Sequence, residues 1–357
     1  MNKVKVCVIG AGNISNTRHI PSLVKCAHAE ITGLISDEKK KLARTIKNHE
    51  FLRGAYQLLL DKTKDIYSQL NKCTWFIDEA DAVVIGTPPA EHFALAKACL
   101  MLKKHVLVEK PMMMNIQECD EVIALAKQNK CVLNVMHSFQ FSNGINNLYK
   151  RYSTGEFGKL KSILELQLTN RDRRLPIWYN ELPLGLFYDE ASHFFYGARR
   201  FGGELRIINA HASFNDKSDS TPHFLEVQLM AGDVPVQMYM NFNSPICEWG
   251  LLLICEKKIA IYDYFKDILI VLDNDNQHLA KDVLKTSLNF TAKFWAGFIK
   301  NGFKMVSHKL LYGHDSCIRK FIDAVQGEES CFELSAELGR EVVIAMNEVV
   351  KRAEGEK

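Results

Sequence analysis

The chain has 357 residues, more than one hydrophobic core of ordinary size accommodates, so two domains are the natural expectation. Its 47% apolar and 24% charged residues are those of a globular protein and exclude a disordered one. A net charge of +3 is too weak to point to nucleic acid, and no apolar run reaches the roughly 18 residues of a membrane span. Lys3 and Lys5 sit inside the alternating pattern Val4, Val6, Val8 with no cleavage region after them. A signal peptide is therefore not expected, and the location is read as cytoplasmic, with no membrane partner. Ten cysteines are scattered from Cys7 to Cys331 without CxxC or metal-type spacing. They read as reduced thiols, and no metal site is expected.

The first strand is predicted over Lys3–Ile9, followed by the turn Gly10-Ala11-Gly12 and a helix from about Asn13 that Pro21 kinks or breaks. A second strand is expected at Ile31–Ile35 and a helix at Lys39–Ile46. Between Asn48 and Phe76 the spacing of Leu58, Leu59, Ile66 and Leu70 is helical, without clean caps. The pattern sharpens at strand Ala82–Gly86, a helix opened by Pro88-Pro89 and running to about Lys103, and strand His105–Glu109. Asn115, with Glu118 three residues on, predicts a capped helix ending near Lys130, and Cys131–Met136 one more strand. Such alternation means a parallel sheet with helical crossovers.

After residue 137 the rhythm changes. A helix around Ile145–Ser153 leads through Gly155 and Gly158 into strand Leu160–Thr169, and a helix spans roughly Leu184–Arg200. Four to six strand-like runs follow, including Arg206–Phe214, Phe224–Met230, Val236–Phe242 and Trp249–Cys255, whose short connections suggest a mainly antiparallel sheet. Two helices, near Cys317–Val325 and Leu334–Ala353, close the chain. The expected fold class is thus an α/β Rossmann domain over 1–136 and an α+β domain over 137–357 with a large open sheet. The last helix is left free to pack back on the first domain.

Gly10-Ala11-Gly12-Asn13-Ile14-Ser15 follows a strand and opens a helix. The first glycine permits the tight turn and the second lets the backbone approach a pyrophosphate, which then meets the helix N-terminus. Ser15 stands where a third glycine is usual, and a small residue can serve there. The residue that reads the adenosine ribose falls at Ser36 or Asp37. Asp37 would bond a 2′-hydroxyl, while Ser36 followed by Lys39 and Lys40 would accommodate a 2′-phosphate, so NAD and NADP both remain open.

The segment from Asp81 to Met112 contains Thr87-Pro88, His92 four residues after Pro88, and Glu109-Lys110-Pro111. With Arg18-His19-Ile20-Pro21 and Asp189-Glu190-Ala191-Ser192-His193, it resembles the family of glucose–fructose oxidoreductase, inositol dehydrogenase and MocA. Pro89, Gln140, Ala191 and Tyr196 depart from that family's usual residues, and Gln140 and Tyr196 bear on substrate contacts. Turn and resemblance together imply a cofactor set of Gly10, Gly12, Asn13, Ile14, Ser36, Asp37, Thr87, Pro88, His92, Glu109 and Lys110. The resemblance also implies a cis Lys110–Pro111 bond, a sugar, cyclitol or related polyol (or keto-sugar) substrate, and a homodimer or homotetramer built through the C-terminal sheet.

An ammonium at Lys110, just past a strand's carboxyl end, can hold the oxygen on a reacting carbon. Asp189 and His193, four apart on the expected helix, share a face, and a neutral imidazole is the natural proton acceptor. Lys110, Asp189 and His193 are therefore the expected catalytic residues of an NAD(P)-dependent dehydrogenase. Gln140, Arg173, Trp178 and Tyr196 are the expected substrate contacts, with Arg171, Arg174 and Tyr179 beside them. A dinucleotide-binding sensor without turnover, or an enzyme for a non-sugar diol, are the alternatives.

Overall fold

The computed structural model describes residues 2–354 apart from Arg174, Lys217 and His308. In chain order the elements are β1 (Val4–Ile9), α1 (Ile20–Lys25), β2 (Ala29–Ser36), α2 (Lys39–Asn48), β3 (Tyr56–Leu59), α3 (Ile66–Asn71), α4 (Thr74–Glu79), β4 (Ala82–Ile85), α5 (His92–Met101), β5 (His105–Val108), α6 (Ile116–Asn129) and β6 (Leu133–Val135). There follow α7 (Asn143–Ser153), β7 (Leu160–Leu168), α8 (Leu186–Glu190), α9 (Ser192–Gly202), β8 (Leu205–Ser213), β9 (Phe224–Ala231), β10 (Val234–Asn241), β11 (Glu248–Cys255), β12 (Lys258–Asp263) and β13 (Ile268–Asp273). Helices α10 (Ala280–Val306), α11 (His314–Val325) and α12 (Ala336–Glu354) end the chain. Among the described residues no helix is long and apolar enough to cross a membrane.

Two compact units divide these elements. The first contains residues 1–138 and 313–344, the second residues 139–312 and 345–357. In the first, six parallel strands run in the order β3-β2-β1-β4-β5-β6, the doubly wound arrangement, with its reversal between β1 and β4. Strands β4, β5 and β6 are buried nearly throughout because helices cover them, which is why they read as continuous apolar runs. The first helix begins at Asn13 and passes through a π-helical stretch at Ser15–His19, where the Ile20 amide reaches back to the Ser15 carbonyl. Pro21, which has no N–H to give, follows this π-helical stretch, where the ladder is already displaced, at the start of α1. Asn115 caps α6 by accepting from the Glu118 amide at 2.9 Å, and the Glu118 carboxylate returns to the Met114 amide.

The second unit is a seven-stranded sheet in the order β13-β12-β11-β7-β10-β9-β8, antiparallel except where β7 and β10 run parallel. One face packs on helices: α9 lies against β7 to β10, and Gly144 of α7 sits so close to Tyr262 that a Cβ there would lie 2.4 Å from the ring.

Three readings of the sequence need correction. Leu58 and Leu59 belong to the edge strand β3, and α3, which carries Ile66 and Leu70, has a cap after all, since Asp65 accepts from the Ser68 amide at 2.7 Å. The expected helix Leu184–Arg200 is two segments: at Ala191 the ladder tightens, and the Phe194 amide bonds the Ala191 carbonyl three residues back. Two closing helices were expected, but the 27-residue α10 precedes them; most of its apolar residues are exposed, and Asn301 is its one buried residue.

Gly10 adopts φ +97°, and a Cβ on it would lie 2.6 Å from the Gly86 carbonyl oxygen. Gly10→Ala is expected to lower unfolding stability by roughly 2–4 kcal/mol through backbone strain and overpacking. Urea denaturation followed by circular dichroism checks this; an unchanged midpoint counts against the close approach.

Candidate active site

In the first unit the motif residues gather at the carboxyl edge of the sheet, because each strand hands its ladder on by one more bond. The Gly10 amide bonds Ile35, that of Gly86 bonds Ile9, that of Glu109 bonds Ile85 and that of Met136 bonds Val108. Gly12 has nothing within 4 Å of where a Cβ would stand, so the space above the helix start is open to a phosphate. Asn16 pins the turn from below, its amide donating to the Gly12 carbonyl at 2.8 Å and to Thr45 Oγ1 at 2.9 Å. Opposite Ser15 the sheet has Gly86, where a Cβ would lie 2.7 Å from Ser15 Oγ and from the His19 ring. The close helix–strand approach usually granted by a third glycine is thus granted by a glycine on the facing strand. These features fit a dinucleotide: Gly10, Gly12, Asn13 and Ile14 for the pyrophosphate, and Ser36 and Asp37 at the end of β2 for the ribose.

Ser36 is the last residue of β2 and is buried. Asp37 follows it half-buried, its carboxylate 2.7 Å from Lys62 Nζ and 3.5 Å from Lys41 Nζ. Burial opposes ionisation of this group, but the Lys62 and Lys41 ammoniums outweigh it and hold the carboxyl below its usual range.

His92 is fully buried, with Nδ1 2.9 Å from the Pro111 carbonyl and Nε2 3.0 Å from that of Thr87. Burial holds its pKa below the usual histidine range, so the ring is neutral and donates to one of these carbonyls. It joins the Thr87-Pro88 loop to the turn after β5 and offers neither nitrogen outward. The Lys110–Pro111 peptide is cis, as the resemblance implied.

Glu109 is turned inward. Its Oε1 lies 2.8 Å from His19 Nε2 and 3.8 Å from His314 Nε2, and its Oε2 accepts from the Lys110 amide at 3.1 Å. Burial pushes the carboxyl up, but the hydrogen bond and charge of His19, with His314 and Lys110, bring it down to about 2. The ligand atoms of His19, Glu109 and His314 lie within 4.8 Å of one another. The short His19–Glu109 bond already joins two of them, so the group reads as a hydrogen-bonded support beneath Lys110. His137, also buried, meets the Glu333 carbonyl at 3.2 Å, and burial lowers its pKa to about 4.

In the second unit His193 is buried on α9, its Nδ1 2.5 Å from Tyr196 Oη. The Phe139 amide also donates to that hydroxyl, at 3.2 Å. Phe139 and Trp249 flank the imidazole, with ring centroids 4.7 Å and 5.7 Å away. Tyr196, expected as a substrate contact, is 1% exposed and turns its hydroxyl to the His193 ring. Asp189 is half-buried on α8, and its neighbour Glu190 is the carboxylate locked inside, held by Arg173, by Gln167 Nε2 at 2.5 Å and by Thr169 Oγ1 at 3.1 Å. Arg173 is thereby committed to Glu190, and Arg171 donates to the carbonyls of Phe242, Thr221 and Pro222. Gln140 is buried and its carbonyl accepts from Arg200, while Trp178 is half-exposed on a short 3-10 turn. Arg174 lies outside the described residues.

Sequence reasoning missed what stands behind α9. Glu165 of β7 is buried against Tyr264 Oη at 3.3 Å, and burial raises its carboxyl well above the usual range. Gly197 makes room, since a Cβ there would lie 3.3 Å from both groups. The only sequence signal was an acidic residue on an inward position of an alternating strand.

The two glutamates carry opposite pH signatures. Glu109, depressed, contributes stability above its unfolded pKa that is lost as pH falls from about 4.5 towards 2. Glu165, raised, makes the folded state lose stability as pH climbs above the unfolded value. Melting temperatures of Glu109→Gln and Glu165→Gln are therefore expected to diverge from the unsubstituted protein differently. The first should lose its deficit in acid, and the second should gain on the unsubstituted protein in alkali. Parallel pH curves for all three would contradict the assignment.

Residues 4–137 match the family described as oxidoreductase family, NAD-binding Rossmann fold, the Gfo/Idh/MocA group. The chain is 32% identical over 118 residues to a 1-carboxy-3-chloro-3,4-dihydroxycyclohexa-1,5-diene dehydrogenase of Comamonas testosteroni, covering 32% of this chain and 30% of the relative. It is 29% identical over 202 residues to the myo-inositol 2-dehydrogenase of Thermotoga maritima, covering 56% and 55%. The chain thus spans about a third to a half of these relatives. The WlbA dehydrogenase from Bordetella pertussis, solved with NADH and UDP-GlcNAcA, superposes with a TM-score of 0.73 at 15% identity, covering 100% of this chain and 98% of that one. At that identity the likeness is one of fold.

Proposed function

We propose that the protein is a dehydrogenase, on the footing that residues 4–137 match the NAD-binding domain of the Gfo/Idh/MocA oxidoreductases. It interconverts a hydroxyl and a keto group on a sugar, cyclitol or related polyol. The observation that carries this reading is the convergence of the glycine turn, Thr87-Pro88 and Glu109-Lys110-Pro111 on one edge of one sheet. When bound, the dinucleotide accepts or supplies the hydride. Lys110 holds the substrate oxygen and stabilises its developing charge, and Glu109, hydrogen-bonded to His19, fixes the backbone from which that lysine projects. His193 moves the hydroxyl proton at Nε2, its ring held through Nδ1 by Tyr196, and Asp189 tunes the pair. Asp37, immediately after β2, favours NAD over NADP by bonding a 2′-hydroxyl. The open face of the seven-stranded sheet, which exposes Leu164, Leu166, Ile208 and Ile259, supports a homodimer or homotetramer formed through it.

The name of the inositol dehydrogenase relative supports a cyclitol. The aromatic wall of Phe139 and Trp249 around His193 favours a second reading, a cyclic diol of lower polarity, and the Comamonas relative is named for such a substrate. A panel of polyols against cyclohexadiene diols separates the two.

Lys110→Ala and His193→Ala are each expected to lower kcat by roughly 10²–10⁴-fold while dinucleotide binding persists. Near-normal turnover in both would discard the roles. Tyr196→Phe is expected to lower kcat by roughly tenfold with KM little changed, the loss of one orienting hydrogen bond. A thermal-shift series with NAD, NADH, NADP and NADPH should show the larger stabilisation with NAD and NADH, reversed or abolished in Asp37→Ala. No shift with any of the four would reject the dinucleotide reading.

A further inference from the structure

The carboxylate placed to read the cofactor's ribose has two ammoniums beside it. Asp37 stands one residue past β2, with Lys62 Nζ 2.7 Å from Oδ2 and Lys41 Nζ 3.5 Å from Oδ1. Lys62 also reaches Glu91, its Nζ 2.5 Å from Oε1, and Lys41 is shared with Glu38 at 2.7 Å. Lys39 and Lys40, which the sequence offered to a 2′-phosphate, are exposed. The cations that meet the carboxylate come instead from the next turn of α2 and from the loop after β3.

That loop is fixed at its base. The Leu60 amide donates to the Ser36 carbonyl at 2.8 Å, which carries the β2–β3 ladder one rung past the end of β3. Gln69 of α3 closes the loop, accepting from the Asp61 amide at 2.9 Å and donating to the Asp61 carbonyl at 2.9 Å. Asp61 in turn accepts from the Thr63 amide at 3.0 Å and from the Thr63 hydroxyl at 2.6 Å. Lys62 therefore stands between two anchored residues, and its side chain spans three strand ends. It starts after β3, meets Asp37 after β2 and meets Glu91 in the turn after β4.

A 2′-hydroxyl and a 2′-phosphate make opposite demands on this place. The hydroxyl donates to a carboxylate, whereas the phosphate, with about two negative charges at neutral pH, is repelled by a bare one. Asp37 is not bare. Any group that approaches its oxygens comes within reach of the same two ammoniums. The Lys62 side chain keeps 50% of its surface exposed, so it can move from carboxylate to phosphate without crossing a packed interior. Exposed ion pairs add little to folding, so stability alone does not account for a lysine so placed.

We propose that Lys62 is a specificity-determining residue for the cofactor: it offsets the Asp37 charge and lends its ammonium to a 2′-phosphate, so that the chain accepts NADP beside a preferred NAD. The claim rests on the dinucleotide reading above. Glu91 retains Lys62 when a 2′-hydroxyl engages Asp37. Lys41 contributes less, being farther from Asp37 and nearer Glu38.

Titration of the full chain with NADH and NADPH, followed by nicotinamide fluorescence, is the test. The unsubstituted protein is expected to bind both, NADH the more tightly. Lys62→Gln is expected to weaken NADPH at least roughly tenfold more than NADH, the loss of one charge-assisted contact, and Lys62→Arg to restore the ratio. Lys64→Gln removes a charge from the same loop, where it pairs with Asp61, and should leave the ratio unaltered. Competition by 2′,5′-ADP against 5′-ADP should repeat the discrimination, because neither probe carries nicotinamide. Equal weakening of NADH and NADPH in Lys62→Gln would mark a tie between loops and overturn the proposal. An unaltered ratio, or an unsubstituted protein that binds NADH and no NADPH, would do the same. Binding of neither cofactor would defeat the dinucleotide reading itself, and this claim with it.

Discussion

The close approach of two glycines, Gly10 after β1 and Gly86 after β4, is the constraint on which the first unit depends. A side chain on either would strike the other's strand end or the helix behind it. Because both are bare, the helix that starts at Asn13 can begin flush with the sheet's edge, with Ser15 against Gly86 and Asn16 bonded to the turn. The amides of that helix start then point to open space, and the ends of β2, β4 and β5 arrive at the same edge. Removing this contact would leave a parallel sheet without a cradle.

Around that edge the buried polar groups are paired by strength. Glu109 keeps its charge in the interior because His19 and a backbone amide compensate the lost water, and this holds the segment that presents Lys110. Glu165 has the Tyr264 phenol beside it instead, and burial raises its carboxyl well above the usual range. The same side chain is thus pushed towards the anion in one unit and towards the neutral acid in the other, and the difference lies in the neighbours. His193 follows the same logic: a tyrosine hydroxyl, itself fixed by the Phe139 amide, orients the ring without adding a charge beside it.

Much of this was legible in the sequence because it is local. The turn at Gly10-Ala11-Gly12, the cap at Asn115 and the alternating strands of the second unit are written in residues a few positions apart, and the structure has them within one or two residues. The partners of Tyr196, His193 and Phe139, were not legible because they come from the same helix and from a turn 57 residues away, and burial cannot be read from one residue type. Arg173 looked available to a ligand because Glu190, its partner, was hidden beside the more conspicuous Asp189. Helix α10 escaped notice because sequence reasoning assumes that apolar residues face the chain's own core.

What the sequence determined by itself is the alternation of strands and helices, the glycine turn and the order of the motifs, since hydrophobic period and turn chemistry act over a few residues. Tertiary structure alone decided which polar groups meet: that Gly86 replaces a missing third glycine, that His314 joins His19 at Glu109, and that α10 leaves most of its apolar residues exposed. The reason is that burial and pairing depend on distances between residues far apart in the chain, and those distances exist only once the strands have found their neighbours.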